Sequence, residues 1–187
     1  HNTNEEGRSR ILAYRLTDKL ADMSTNVSKE AVQAFEDQGA LLPGRMQTIH
    51  NGIDTEDFVF DQTSRDRIRA ELSVGDSTPL IVAVGRLWES KDYPSLLMAM
   101  SGLACRSVKF RLAIIGDGPL RSELTALAHS LGFADQVNFL GVRHDIPALM
   151  SACDVFVLSS AWEGCGLVVA EALACERVVV ATDSGGV

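Results

Sequence analysis

Five short apolar runs dominated by valine, isoleucine and leucine recur after Pro79: "LIVAVG" (80–85), "FRLAIIG" (110–116), "VNFLG" (137–141), "DVFVLSS" (154–160) and "RVVVATD" (177–183). Helical segments separate them: "YPSLLMAMSGLA", "PLRSELTALAHSLG", "DIPALMSAC" and "LVVAEALAC". A strand that is apolar throughout is buried on both faces. Its alternation with helices predicts an α/β fold of parallel βαβ units, with helices on both faces of one sheet. The helix punctuation agrees. Asp145 stands where an N-cap belongs, with Pro147 in the first turn, and Gly132 stands where a C-terminal cap belongs.

Residues 1–60 read differently. They predict helices over 7–20 and 29–38, the second capped by Ser28 and ended by Gly39, and short strands at 23–27 and 46–50. "HNGIDTEDF" (50–58) reads as a turn leading out of a strand, and the polar stretch 61–77 holds one short helix around 65–72. This predicts two domains, residues 1–60 and 61–187, with the boundary near 52–62.

Parallel strands align their carboxyl ends along one edge, where open α/β sheets bind ligands. That edge collects Gly85 and Arg86 with Lys91 just beyond, Gly116–Asp117–Gly118, Gly141–Val142–Arg143, Ser159–Ser160 with the Glu163–Gly166 turn, and Asp183–Ser184–Gly185–Gly186. A strand, a glycine turn and a helix start offer free backbone N–H groups, and the helix dipole favours an anion there. Gly164–Leu167 is such a place. Arg86 and Lys91 suit a diphosphate. Glu163 and Glu171 repel phosphate but accept hydrogen bonds from vicinal hydroxyls. One rim carrying both sets of groups suits a nucleoside diphosphate sugar. Each group also has a plainer reading. Glu171 in an early helical turn is mildly favourable anyway, Glu163 suits a solvated loop, Arg86 and Lys91 suit an ordinary surface, and Gly116–Gly118 suits a tight turn.

Several function classes fall away. The formal net charge of −8 argues against nucleic-acid binding. No apolar run reaches the ~20 residues of a membrane span. Cys105, Cys153, Cys165 and Cys175 form no C-x-x-C pair and share no metal-ligand spacing with histidine, so buried free thiols in a reducing compartment are expected, and no metal site. There is no G-x-x-x-x-G-K-[ST], and "GDGPLR" has arginine where the dinucleotide fingerprint needs its third glycine.

"EGCGLVVAE" (163–171) resembles the E-x7-E motif of retaining glycosyltransferase family 4, the group 1 glycosyltransferases. "HNGIDTEDF" is similar to that family's N-G-[IV]-D-x-x-x-F segment, and "VGRLWESK" to its V-G-R-L-x-x-x-K segment. "LAIIGDGPLRSEL", "VNFLGVRHDIPALMSACDVFVLSS" and "VVVATDSGG" follow in the expected order, so the resemblance covers essentially the whole chain. It implies the last part of one Rossmann-like domain followed by a Rossmann-like donor-binding domain, within an arrangement of two such domains facing across a cleft.

The resemblance also implies roles. Arg86 and Lys91 match the cations on the donor diphosphate. Glu163 matches the glutamate near the donor-sugar hydroxyls, and the amides of Gly164, Cys165, Gly166, Leu167 and Val168 match contacts to sugar and phosphate. Glu171 matches the glutamate on the nucleotide ribose, and Val142 and Arg143 fall in the loop near the nucleobase. His1, with Asn2, resembles the T-x-H-N segment whose histidine faces the donor. The implied activity is glycosyl transfer from a nucleoside diphosphate sugar with retention of configuration and no metal or other cofactor. The acceptor would be a sugar, a lipid-linked molecule or a small molecule. The implied setting is cytoplasmic, at or near the inner membrane face, with any peripheral membrane association made through regions outside this chain. The chain departs from the family pattern at both ends and reads as an internal fragment, and Cys165 replaces a residue that is often aromatic. A catalytically silent nucleotide-sugar-binding fragment and a sugar-nucleotide epimerase of similar architecture are the competing readings.

Overall fold

The computed structural model describes residues 8–185; the expectation placed on His1 and Asn2 lies outside them. The chain forms two compact units. The first gathers the residues up to Gly52 with Trp162–Leu167 and the stretch from Asp183 onward. The second holds Ile53–Ala161 and Val168–Thr182.

The first unit carries α1 (Arg8–Thr17), β1 (Ser24–Asn26), α2 (Lys29–Asp37) and β2 (Met46–Thr48). β1 and β2 pair in parallel, so β1, α2 and β2 make one βαβ unit. The Ser28 hydroxyl accepts the Ala31 N–H at 3.1 Å, the N-cap its sequence position predicts. Phe35, Ala40 and Leu41 form the core, joined by Ile11, Tyr14 and Met46, with the Tyr14 and Phe35 ring centres 5.5 Å apart.

The second unit is the expected α/β layer. It runs α3 (Gln62–Glu71), β3 (Leu80–Val84), α4 (Tyr93–Cys105), β4 (Arg111–Ile115), α5 (Arg121–Ser130), β5 (Val137–Gly141), α6 (Ile146–Ala152), β6 (Val155–Leu158), α7 (Leu167–Ala174) and β7 (Val178–Ala181). All five strands pair in parallel, in the order β5-β4-β3-β6-β7. The pleat sends alternate residues to opposite faces. Leu80 and Val82 of β3 join Ile68 of α3, Leu149 and Met150 of α6 and Ala172 of α7 on one face. Ile81 and Ala83 join Leu96, Leu97 and Met100 of α4 and Leu124 of α5 on the other. β7 is one of the two edge strands: Val179 packs on the first cluster, whereas Val178 and Val180 are exposed.

The amino-terminal edge of this sheet is held by arginines. Arg69, 3% exposed, donates to Asp154 Oδ2 at 2.9 Å and to the carbonyls of Gly75 and Thr78, both at 2.7 Å. Arg65 donates to Asp154 Oδ1 at 2.6 Å and to the carbonyls of Ser151, Ala152 and Cys153, which end α6. Asp154 also accepts the Leu80 N–H at 2.7 Å, which fixes the start of β3 beside the start of β6. Cations thus satisfy the orphan carbonyls and the negative dipole end of α6.

One capping expectation is corrected. Asp145 precedes α6 as expected, but its side chain caps nothing. Both its oxygens accept from Arg143, at 2.8 Å each, because a bidentate guanidinium is the stronger partner.

Candidate functional site

The strand order places the point where the winding of the sheet reverses between β3 and β6. At such a switch point the connections diverge to either side and leave a crevice at the carboxyl ends. The loop after β3 borders it with Gly85, Arg86 and Lys91. Three contacts fix that loop: the Tyr93 hydroxyl donates to the Gly85 carbonyl at 3.1 Å, the Ser159 hydroxyl donates to the Lys91 carbonyl at 2.7 Å, and the Ala161 N–H donates to the Ser90 carbonyl at 2.9 Å. Sequence reasoning assigned no role to Tyr93. Its signal is a tyrosine in an otherwise apolar helical segment, since a buried phenol, here 2% exposed, needs a partner for its O–H.

The rim loops are bonded to one another in series. The Gly85 N–H donates to Ile115 O at 2.9 Å, the Leu87 N–H to Asp117 O at 3.0 Å and the Gly116 N–H to Gly141 O at 2.8 Å. Gly116 has φ +130°, and a Cβ there would stand 2.0 Å from the Gly85 carbonyl oxygen; one at Gly118 would stand 2.4 Å from that of Leu87. The Gly116–Gly118 turn therefore serves as the surface against which the Arg86 loop is laid, beyond being a tight strand-to-helix turn. The aliphatic stem of Lys91 in turn crosses Gly85, with Cε 2.9 Å from where a Cβ would be.

The expected site residues then divide. In the second unit, Arg86 is exposed, and no hydrogen bond or ion pair ties its guanidinium to any described residue; its Cζ lies 4.7 Å over the Trp88 ring. Lys91 is half-buried beside it in sequence and loop. Val142 is 66% exposed on the next rim loop but one. Arg143 is engaged elsewhere: it donates to Glu71 at 2.5 Å as well as to Asp145, which raises its own pKa and holds both carboxyls below the ordinary range. Its charge ties the β5 loop to α3 and α6, which leaves the exposed Val142 as the side chain of that pair open to a ligand.

Glu163, Gly164, Cys165, Gly166 and Leu167 belong to the first unit. The Glu163 N–H donates to Ser184 O at 3.1 Å, and the Leu167 N–H to Cys165 O at 3.0 Å. The N–H groups of Gly164, Cys165 and Gly166 donate to no acceptor among the described residues. Open backbone N–H groups of this kind can donate to an anion.

Val168 and Glu171 return to the second unit on α7. The Glu171 carboxyl is half-buried, with no hydrogen bond or ion pair to any described residue, and burial alone pushes its pKa above the ordinary value. A raised carboxyl pKa means that the fold favours the neutral form. The stability associated with it is fully present below the unfolded-state pKa of about 4.3 and is lost as pH rises through the folded-state value. Glu171→Gln should therefore raise the melting temperature at pH 7, with the two proteins converging under acid. A wild-type protein as stable as the variant at pH 7 would show that the carboxylate carries no such penalty.

Among the described residues, no group of three His, Cys, Asp or Glu stands close enough to hold a metal ion, and no helix is long and apolar enough to cross a membrane.

A parallel sheet wound in both directions from a switch point, with glycine turns stacked along its carboxyl edge, defines a Rossmann-like α/β unit. The profile of the family described as "Glycosyl transferases group 1" matches residues 64–187, and the chain belongs to that family. It is 34% identical over 184 residues to a GDP-mannose-dependent alpha-(1-6)-phosphatidylinositol monomannoside mannosyltransferase of Mycolicibacterium smegmatis, covering 93% of this chain and 47% of that protein. It is 29% identical over 172 residues to an N-acetylgalactosamine-N,N'-diacetylbacillosaminyl-diphospho-undecaprenol 4-alpha-N-acetylgalactosaminyltransferase of Campylobacter jejuni, covering 92% of this chain and 43% of that protein. The crystal structure of Anabaena HepE in complex with UDP and glucose superposes with a TM-score of 0.89 at 26% identity, over 99% of this chain and 51% of that one. The chain spans less than half the length of these two curated relatives.

Proposed function

We propose that this chain carries the donor-binding part of a glycosyltransferase of the E-x7-E, family 4 type. Such an enzyme moves a sugar from a nucleoside diphosphate sugar to an acceptor with retention of configuration and without a metal. One observation carries the reading. The same sheet edge presents a guanidinium, Arg86, with no anion and a half-buried carboxylate, Glu171, with no donor among the described residues. Two unpaired groups of opposite sign on one rim call for a ligand with phosphate oxygens for the first and hydroxyls for the second.

Arg86 and Lys91 would take the diphosphate and stabilise it as it departs, a preorganised electrostatic role. Glu171 would accept from the ribose hydroxyls, and Val142 would pack near the base. The relatives' names, with GDP-mannose in one and UDP with glucose in another, favour a hexose carried on UDP or GDP. The setting we infer is cytoplasmic, where nucleotide sugars are made, with a sugar, lipid-linked or small-molecule acceptor.

Because the chain spans less than half of its relatives, nucleotide-sugar binding without transfer is the second reading. Ligand-detected NMR with UDP-, GDP- and ADP-sugars tests the shared part of both. Saturation transfer to one nucleotide series, displaced by its free diphosphate, is the expected result. No transfer to any of them would remove both readings, and turnover by this chain alone would remove the second.

A further inference from the structure

We infer that Trp88 is a positioning residue for the diphosphate. It holds the Arg86 guanidinium at the rim by stacking beneath it, an inference that rests on the diphosphate reading of Arg86. Among the described residues, Arg45 pairs with Asp18, Arg65 and Arg69 with Asp154, Arg67 with Asp145, and Arg143 with Glu71 and Asp145. Arg86 has no such partner among the described residues. A carboxylate partner would hold the guanidinium but occupy the donors that phosphate needs. An aromatic face attracts the cation through the ring quadrupole and leaves the N–H groups at the edge of the guanidinium plane open. The 4.7 Å separation of Arg86 Cζ from the Trp88 ring centre is within the range of that attraction.

The ring itself is held by the turn that carries it. The Trp88 N–H donates to Arg86 O at 2.8 Å, and the Trp88 carbonyl accepts from the Lys91 N–H at 3.1 Å. Leu87, fully buried, anchors the residue between the two. Trp88 therefore sits at the middle of the short loop that runs from one candidate phosphate cation to the other. Its ring is half-buried, which limits its motion, while the four-bond stem of Arg86 is exposed and loses freedom when stacked.

The test is a calorimetric double-mutant cycle on the full chain. Wild type, Trp88→Leu, Trp88→Phe, Arg86→Ala and the double variant Arg86→Ala/Trp88→Leu are titrated with UDP, with GDP and with inorganic pyrophosphate, and circular dichroism checks each fold. Trp88→Leu should weaken the nucleotide that binds and pyrophosphate by the same factor, roughly five-fold. Trp88→Phe, which keeps a smaller aromatic face, should recover most of that loss. The double variant should bind no more weakly than Arg86→Ala alone, because a residue that acts through Arg86 has nothing left to position. Unchanged or tighter binding by Trp88→Leu overturns the inference. So does a loss that persists in the Arg86→Ala background, or one seen with the nucleotide but not with pyrophosphate, since either assigns Trp88 a direct ligand contact. If Arg86→Ala itself loses nothing, the diphosphate reading of Arg86 fails, and this inference falls with it.

Discussion

Asp154→Ala should unfold the second unit more readily than any rim substitution, with a loss of about 3–5 kcal/mol in denaturant melts followed by circular dichroism. The carboxylate is shared by Arg65, Arg69 and the Leu80 N–H. Its removal leaves the Arg69 guanidinium, whose side chain is 4% exposed, without a counter-charge. An unpaired buried cation is far costlier than a lost surface ion pair. Acid should have a related effect on wild type. Burial alone would raise the Asp154 pKa, but the Leu80 N–H and the two arginines outweigh it, and the net shift is downward. A lowered carboxyl pKa contributes stability above the unfolded value of about 3.9 and loses it as pH falls through the folded value. The Asp154→Ala deficit should therefore be full at pH 6 and shrink at the acid end. A deficit below about 1 kcal/mol, or one that does not vary with pH, would contradict the role given to this network.

Gly116→Ala should be nearly as severe, for a different reason. Its φ of +130° lies in a region that side chains rarely adopt, and the new Cβ would stand 2.0 Å from the Gly85 carbonyl oxygen, which belongs to backbone rather than to a flexible side chain. Strain of about 1–3 kcal/mol and overpacking of about 1–3 kcal/mol both apply. Gly132 also has positive φ, +75°, but a Cβ there meets nothing within 4 Å, so Gly132→Ala should cost only about 1 kcal/mol. The two substitutions differ further in what moves. At Gly116 the Gly85 loop must give way, and Arg86 goes with it, so nucleotide affinity should fall along with stability. Equal melting temperatures for the two variants would mean that the rim loops yield freely.

The five-stranded core was legible because each strand is a local event. A run such as "LIVAV" between turn residues, buried on both faces, has few other solutions in a chain of this length. The pairing order was not legible. Which strand lies beside β3 depends on where α4 to α7 pack, and periodicity carries no trace of that. The rim groups were chosen as candidates by one topological step, that parallel strands end on one side. The plainer reading of Gly116–Gly118 was incomplete, since only coordinates reveal the Gly85 and Leu87 backbones behind it.

The Arg65–Arg69–Asp154 network was missed because its partners are 85 to 89 positions apart. In the sequence those arginines are ordinary cations on a polar helix. Arg143 illustrates the converse case. Its place on the rim suggested a ligand contact, while two nearby carboxylates already take its donors. The grouping of Trp162–Leu167 and the residues from Asp183 with the N-terminal unit likewise depends on contacts across more than a hundred positions, for which the chain carries no local signal.

The central claim is that the unpaired Arg86 on the sheet's carboxyl edge binds the diphosphate of a nucleotide. Calorimetric titration of wild type and Arg86→Ala with UDP and with GDP measures it directly. Loss of a charge-assisted, bidentate phosphate contact should weaken binding by roughly ten-fold or more, about 1.5–3 kcal/mol. Circular dichroism should be unchanged, since no described residue depends on that side chain for a hydrogen bond or ion pair. Equal affinity in the two proteins would contradict the claim.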